Sequence, residues 1–141
     1  MIDYSAFNKA LAQMEKSLTF LNSELSQNNP ELCEQFRAAV IQAFEYTYEL
    51  AIKMIRRQLG QIVANPAQLR EMDFMDLVRT AFEAGIVREV PLFKVYREKR
   101  NITSHTYNEN KADDVLSVID SFLQDMRFLQ NELRRRNCEA D

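Results

Sequence analysis

Helix-breaking residues are scarce in this chain, and their scarcity limits the possible folds more than any other feature. Among 141 residues there are two glycines, Gly60 and Gly85, and three prolines, Pro30, Pro66 and Pro91. A β-rich domain of this length needs more turn residues than that. The segments between these breakers are long enough for helices and are rich in Leu, Ala, Glu, Gln, Arg and Met, which favour helix formation. The sequence therefore predicts an all-α protein.

Apolar residues recur at steps of three and four, the spacing that places them on one face of a helix. The spacing predicts a first helix from about Ser5 to Gln27 and a second from about Pro30 to Leu59, with Gly60 as its C-cap. The second helix is apolar over more than one face, which is typical of a helix that is central in a bundle or shared with another chain. The two predicted stripes are Tyr4, Phe7, Leu11, Met14, Leu18, Leu21 and Leu25, and Leu32, Phe36, Val40, Phe44, Ala51, Ile55 and Leu59.

Three further helices are predicted after a connection over residues 61–70. One runs from about Asp73 to Ala84, a shorter one from Pro91 to Lys99, and the last begins near Asn110 as N-cap. We expect residues 137–141 to be frayed. Together these segments predict one domain over residues 1–141, an antiparallel four- to five-helix up-and-down bundle. The inward-facing residues should be Phe74, Leu77, Val78, Ala81 and Phe82, and then Val115, Ile119, Phe122, Met126, Leu129 and Leu133.

Composition excludes several classes of protein. The net charge of −3 gives the chain no broad attraction for nucleic acid, so any such contact must be local. The polar N-terminus and the lack of a long apolar run predict a cytoplasmic protein with no membrane partner. Cys33 and Cys138 are expected to be two free thiols, and with the lone His105 they cannot make a zinc set. We therefore predict no bound metal and no cofactor.

The stretch from Arg100 to Tyr107 interrupts the helical pattern. It contains the only histidine, His105, and follows the basic residues Lys94, Arg97 and Lys99. Histidine exchanges a proton near neutral pH, and arginine matches phosphate oxygens. A bend between Arg100 and His105, which would otherwise point about 140° apart on a helix, would bring both to one pocket.

These residue types suffice for metal-free cleavage of RNA, because the 2′-hydroxyl of the substrate supplies the nucleophile. We therefore predict Arg100 and His105 as catalytic residues, with Arg97, Lys99 and Asn101 binding substrate. Asn101 would either orient His105 or contact the ligand backbone. The structural alternative is that Thr103 and Ser104 N-cap a helix that starts near His105, which would then be a satisfied polar contact.

The same stretch resembles the signature of the HEPN superfamily, Arg-polar-x3-His, and Tyr107 adds a resemblance to the HepT-type toxin subgroup, Arg-x4-His-x-Tyr. Three other segments, Asp3-Tyr4 with Phe7, residues 44–51 and residues 81–85, are similar to proteins called nucleotidyltransferase substrate-binding proteins. The resemblance covers nearly the whole chain.

This resemblance implies a helical bundle that forms a two-fold homodimer with arginine and histidine from both chains in one cleft. Arg100 would bind phosphate and His105 would act as general acid or base on RNA, leaving a cyclic phosphate end. It also implies a partner, a minimal nucleotidyltransferase antitoxin that transfers AMP from ATP to Tyr107. The attached nucleotide would crowd the cleft and inhibit cleavage.

Three hypotheses follow. The first is a ribonuclease toxin of this type. The second is a non-catalytic adaptor that holds a nucleotidyltransferase through the wide apolar surface of the second predicted helix, with Tyr46 and Tyr48. The third is a structural helical domain without a ligand.

Overall fold

The computed structural model describes residues 1–138, without the side chain of Cys138, and over this range the chain forms α-helices and no strand. The eight α-helices are α1 Ser5–Leu21, α2 Glu24–Gln27, α3 Pro30–Gly60, α4 Gln68–Glu71, α5 Phe74–Glu83, α6 Pro91–Asn101, α7 Glu109–Leu116 and α8 Ile119–Cys138, with a 3₁₀ turn over Thr103–His105 between α6 and α7. The predicted all-helical bundle is confirmed.

Helix α3 is the central element of the bundle. Asn29 caps its first turn by accepting hydrogen bonds from the backbone N–H groups of Glu31 and Leu32, and Pro30 fits the first helical position because it needs no partner there. Every other helix and the 3₁₀ turn contact α3. The long span from Pro30 is as predicted, except that Gly60 is the last helical residue and the cap is Gln61. The wide apolar surface predicted for this helix is thus used within the chain itself.

The core is built from the predicted stripes of several helices. Phe44 of α3 meets Phe122 of α8 edge to face with ring centroids 4.7 Å apart, and Tyr96 of α6 meets Phe122 at 5.1 Å. All six residues predicted for the last stripe are buried. Burial of this apolar surface is the main source of stability for the bundle.

Two predicted long helices are each broken in the structure. The first ends at Leu21, because the hydroxyl of Ser23 accepts from the backbone N–H of Ser26 and starts the separate helix α2. This break changes the helical phase, so Leu25 is 56% exposed and the prediction that it faces the core is wrong. The last predicted helix is likewise divided at Ser117 and Val118, and its cap is Asn108 instead of Asn110.

Three smaller predictions are also wrong. The connection over residues 61–70 contains the start of α4, which buries Leu69. Phe82 is 49% exposed because it lies on the outer face of α5. Asn137 is buried and ordered: its amide accepts from the Ile2 backbone N–H at 3.0 Å and donates to Gln58 at 2.9 Å. The rest of the segment expected to be frayed, the Cys138 side chain and residues 139–141, lies outside the described part of the chain.

Candidate functional site

The stretch from Arg100 to Tyr107 forms a bend between two helices, as the interruption in its sequence pattern predicted. Helix α6 ends at Asn101, and the chain then tightens into the 3₁₀ turn, where the His105 N–H donates to the Ile102 carbonyl at 3.0 Å. The Asn108 N–H donates to the His105 carbonyl at 3.1 Å, and the Asn108 side chain caps α7. We call residues 100–107 the Arg–His turn.

Arg100 is fixed by two carboxylates of α3. Its guanidinium donates to Glu49 and lies 3.8 Å from Glu45. The hydrogen bond that Arg100 donates to Glu49 raises the pKa of Arg100 above its usual value, with further contributions from the charges of Glu49 and Glu45. A guanidinium carries five N–H donors, so these contacts leave others for a ligand. Because all three side chains are about one-third to one-half exposed, the ion pairs orient Arg100 more than they stabilise the fold.

Thr103 joins the turn to one of these carboxylates, Glu45. Its hydroxyl lies 2.7 Å from the Arg100 carbonyl and 3.1 Å from a carboxylate oxygen of Glu45. Thr103 is therefore not the N-cap of a helix at His105, and the structural alternative for this segment is wrong in that respect, since the next helix is capped by Asn108.

His105 and Tyr107 both face solvent. Their rings meet edge to face with centroids 6.2 Å apart, and Tyr107 is 85% exposed. Within residues 1–138 the imidazole of His105 makes no side-chain hydrogen bond, so a satisfied core histidine is excluded for this chain. Its exposure leaves both ring nitrogens accessible to a substrate.

The remaining predicted residues lie on α6 beside the turn. Arg97 is exposed with its guanidinium 5.0 Å above the ring of Phe74, and Lys99 is half-buried. Asn101 is the exposed last residue of the helix, and in the described part of the chain it makes no hydrogen bond to His105. The structure thus does not support an orienting role for Asn101, and it leaves contact with a ligand as the role to be tested.

Sequence reasoning missed Glu45, Glu49 and the role of Thr103. Their signal was an acidic pair four residues apart on the second predicted helix, which places two carboxylates on one face. The sequence alone does not show that this acidic pair contacts Arg100, because the contact depends on the packing of α6 on α3. Tyr48 had been expected at an exposed interface with Tyr46, but Tyr48 is buried against Phe44 and Phe74, and burial raises its pKa to about 12.

No group of three or more His, Cys, Asp or Glu side chains within residues 1–138 is arranged to hold a metal ion. None of the helices in that range is both long and apolar enough to cross a membrane.

The fold and the turn together define a class, a helical bundle domain that presents an arginine, a histidine and a tyrosine on one bend. The chain belongs to the family described as nucleotidyltransferase substrate binding protein like, whose model matches residues 2–135.

Two relatives from Haemophilus influenzae agree with this assignment. A protein named "Probable ribonuclease HepT" is 43% identical over 100 residues, which are 71% of this chain and 68% of that protein. A solved structure, described as revealing the fold of a substrate-binding domain of a nucleotidyltransferase, superposes with a TM-score of 0.88 at 33% identity, covering 94% of this chain and 99% of the other. The HepT-type resemblance of the sequence is therefore confirmed.

Proposed function

We propose that this protein is a HEPN-type ribonuclease toxin that cleaves RNA without a metal ion, in a cleft shared by two copies of the chain. The observation that carries the proposal is the exposed imidazole of His105 on the same bend as Arg100, whose guanidinium is held by Glu45 and Glu49. The name of the 43% identical relative supports the same activity.

The chemistry requires a base, an acid and charge stabilisation around one phosphodiester. Neutral His105 accepts the proton of the substrate 2′-hydroxyl, whose oxygen attacks the adjacent phosphorus. The bond from phosphorus to the 5′-oxygen breaks, and the corresponding imidazole of the second copy, in its protonated form, donates a proton to that oxygen. The products are a 2′,3′-cyclic phosphate and a 5′-hydroxyl. Arg100 stabilises the added negative charge, and Arg97, Lys99 and Asn101 bind the flanking strand.

The partner in this proposal is a minimal nucleotidyltransferase that acts as antitoxin. The phenol oxygen of Tyr107 attacks the α-phosphate of ATP, pyrophosphate leaves, and AMP becomes bound to the tyrosine. The 85% exposure of Tyr107 supports this role, since a partner enzyme can reach its hydroxyl. An attached phosphate beside His105 would repel the RNA backbone and occupy its position.

The cleavage proposal is tested by purifying the chain without a partner and incubating it with RNA in EDTA. Wild-type protein should produce cyclic phosphate ends, and His105→Ala and Arg100→Ala should each lower the rate by about 10²-fold or more. Cleavage that persists in His105→Ala would remove the catalytic assignment. Light scattering at micromolar concentration should give the mass of a dimer, and a monomer would contradict the shared cleft.

The modification is tested by intact-mass measurement after incubation with the nucleotidyltransferase and ATP. Wild-type protein should gain the mass of AMP, and Tyr107→Phe should not. Tyr46→Phe is the matched control, because Tyr46 is also exposed, at 57%, but lines a surface pocket with Gln13 and Ser17 of α1. Equal labelling of wild type and Tyr107→Phe would show that another residue is the acceptor.

The second candidate function is a non-catalytic adaptor that presents a substrate to a nucleotidyltransferase. It is favoured by the description of the family and by that of the solved Haemophilus influenzae structure. Of the two tyrosines expected at such an interface, only Tyr46 is exposed. Under this hypothesis, the purified chain binds the nucleotidyltransferase but leaves RNA intact in EDTA, and Tyr46→Ala weakens the complex.

A further inference from the structure

A cluster of arginines surrounds a cleft at the C-terminal end of α3, apart from the Arg–His turn. The cleft has a volume of about 210 Å³ and is lined by Arg56, Arg57, Gly60, Pro66, Leu69 and Arg70. No carboxylate is among these lining residues. We call this feature the basic cleft. It contrasts with the net charge of −3 of the chain as a whole.

The arginines of the basic cleft differ in their contacts. Arg56 donates to the Leu69 carbonyl at 2.7 Å and so joins α3 to α4. Arg57 and Arg70 are exposed, and neither forms an ion pair with another residue in the described range. The hydrogen bonds with Ser5 are the main reason that the pKa of Asp3 is lowered, and the charge of Arg57 makes a smaller contribution. Two guanidinium groups are therefore available to a ligand.

Two of the residues that line the basic cleft, Arg56 and Gly60, lie on the same face of α3 as Glu49, the carboxylate that holds Arg100. Glu49, Lys53, Arg56 and Gly60 follow one another at steps of four, three and four, and such residues share one helix face. Arg56 is seven residues beyond Glu49, which corresponds to about 10 Å along the axis. The exposed Lys53 occupies the interval. Lys53 is thus the exposed cation on this face between Glu49, which is paired with Arg100, and the basic cleft.

We propose that the basic cleft binds phosphates of single-stranded RNA that extends along α3 from the Arg–His turn. This inference deepens the proposed ribonuclease function and rests on it. A guanidinium donates two parallel hydrogen bonds to phosphate oxygens, and successive phosphates of a nucleic-acid strand can each bind one of several neighbouring cations. The favourable charge at a helix C-terminus would account for Arg57 and Arg70 separately, because each lies in the last turn of its own helix, but it does not require the two to line one cleft. An acidic protein segment would satisfy the same arginines, but the continuity of this face with Arg100 favours RNA.

The experiment measures binding of a fluorescent 2′-O-methyl RNA oligonucleotide, which lacks the nucleophile for cleavage, by anisotropy between 50 and 200 mM salt. The variant is the double substitution Arg57→Gln and Arg70→Gln, which leaves the bond from Arg56 to Leu69 in place. The charge-matched control is Arg79→Gln with Arg127→Gln, two exposed arginines that pair with Asp76 and Glu15 on other surfaces. Cleavage of unmodified RNA in EDTA is measured in parallel for every protein.

Each lost phosphate contact lowers the slope of log affinity against log salt by about 0.7 for a single strand. The ratio of affinities at 50 and 200 mM salt should therefore fall about sevenfold in the double variant and remain near that of wild type in the control. In cleavage, the double variant should raise KM and leave kcat unchanged, because its arginines are remote from the scissile phosphate.

An equal loss in variant and control would overturn the inference, since only overall charge would matter. Unchanged RNA binding in the double variant would also overturn it; if co-purification then showed that the same variant had lost its complex with the nucleotidyltransferase, the ligand would be an acidic protein segment. Failure of the proposed function is distinguishable, because it is read from wild-type cleavage and from His105→Ala, neither of which involves the basic cleft.

Discussion

Replacing Glu89 with glutamine should stabilise the bundle at alkaline pH and leave it unchanged in acid. One carboxylate oxygen of Glu89 accepts from the Leu92 backbone N–H at 2.9 Å and so caps α6, while the other is buried without a hydrogen-bond partner in the described structure. Close by, the buried Asp125 accepts from Arg88 at 2.7 Å and from the Tyr96 hydroxyl at 2.5 Å. Burial, followed by the neighbouring Asp125, raises the pKa of Glu89 to about 7 against 4.5 for the free side chain.

The raised pKa of Glu89 makes the fold less stable at high pH than at low pH. Because the pKa is higher in the folded than in the unfolded state, the protonated carboxyl of Glu89 contributes stability that is fully present below about pH 4.5 and is lost as the pH rises through about 7. Each pKa unit corresponds to about 1.36 kcal/mol of free energy, so a rise in the pKa of Glu89 from 4.5 to about 7 corresponds to a loss of about 3.4 kcal/mol in the free energy of unfolding. The carboxyl is only partly buried, so solvent screening reduces the expected loss to about 1–2 kcal/mol.

The assay is chemical unfolding at pH 4 and pH 8 with wild type, Glu89→Gln and the exposed control Glu83→Gln. Glutamine keeps the acceptor for Leu92 N–H and offers Asp125 a donor at every pH. The free energy of unfolding of Glu89→Gln should exceed that of wild type by about 1–2 kcal/mol at pH 8 and match it at pH 4. If the difference between the two proteins is the same at both pH values, the reasoning from the buried carboxyl is refuted.

Three other predictions test the packing and the site. Phe44→Ala should cost about 3–5 kcal/mol of stability because its fully buried ring packs on Phe122, whereas Phe82→Ala on the exposed face of α5 should cost under about 1 kcal/mol. Equal losses of stability in thermal unfolding would contradict the assigned core. Asn137→Ala should lower the free energy of unfolding by about 1–3 kcal/mol in urea, because the buried amide of Gln58 and the Ile2 N–H lose their hydrogen-bond partner. An unchanged free energy would mean that the C-terminal end of α8 is not docked on the bundle. Glu49→Gln should change stability by less than about 1 kcal/mol but lower the rate of RNA cleavage in EDTA, because Arg100 loses its charged partner. Full cleavage activity in this variant would show that Glu49 does not position Arg100.

Much of the fold could be predicted because helix formation depends on local sequence. Asn29 and Pro30 specify the start of α3, and the apolar spacing of Val115 to Leu133 specifies the buried face of the last segment. The two missed helix breaks fell where a short polar side chain competes for backbone groups. Ser23 ends a helix that the apolar spacing alone would continue, and Ser117 lies at the second break, where its hydroxyl hydrogen-bonds to the Asp114 carbonyl at 2.6 Å. A stripe of apolar residues gives a period, but it does not say whether the helix is continuous.

The sequence by itself determined the helical class and the residue types of the candidate site, because both depend on neighbours along the chain: the breakers that separate helices, and the polar run from Arg100 to Tyr107. The tertiary structure alone decided what surrounds those residues. Glu45 and Glu49 are more than 50 positions away from Arg100, and Arg70 joins Arg57 only because α4 folds back on the end of α3. Charge acts through space and not along the chain, so the partners of each arginine became visible only once the helices were packed.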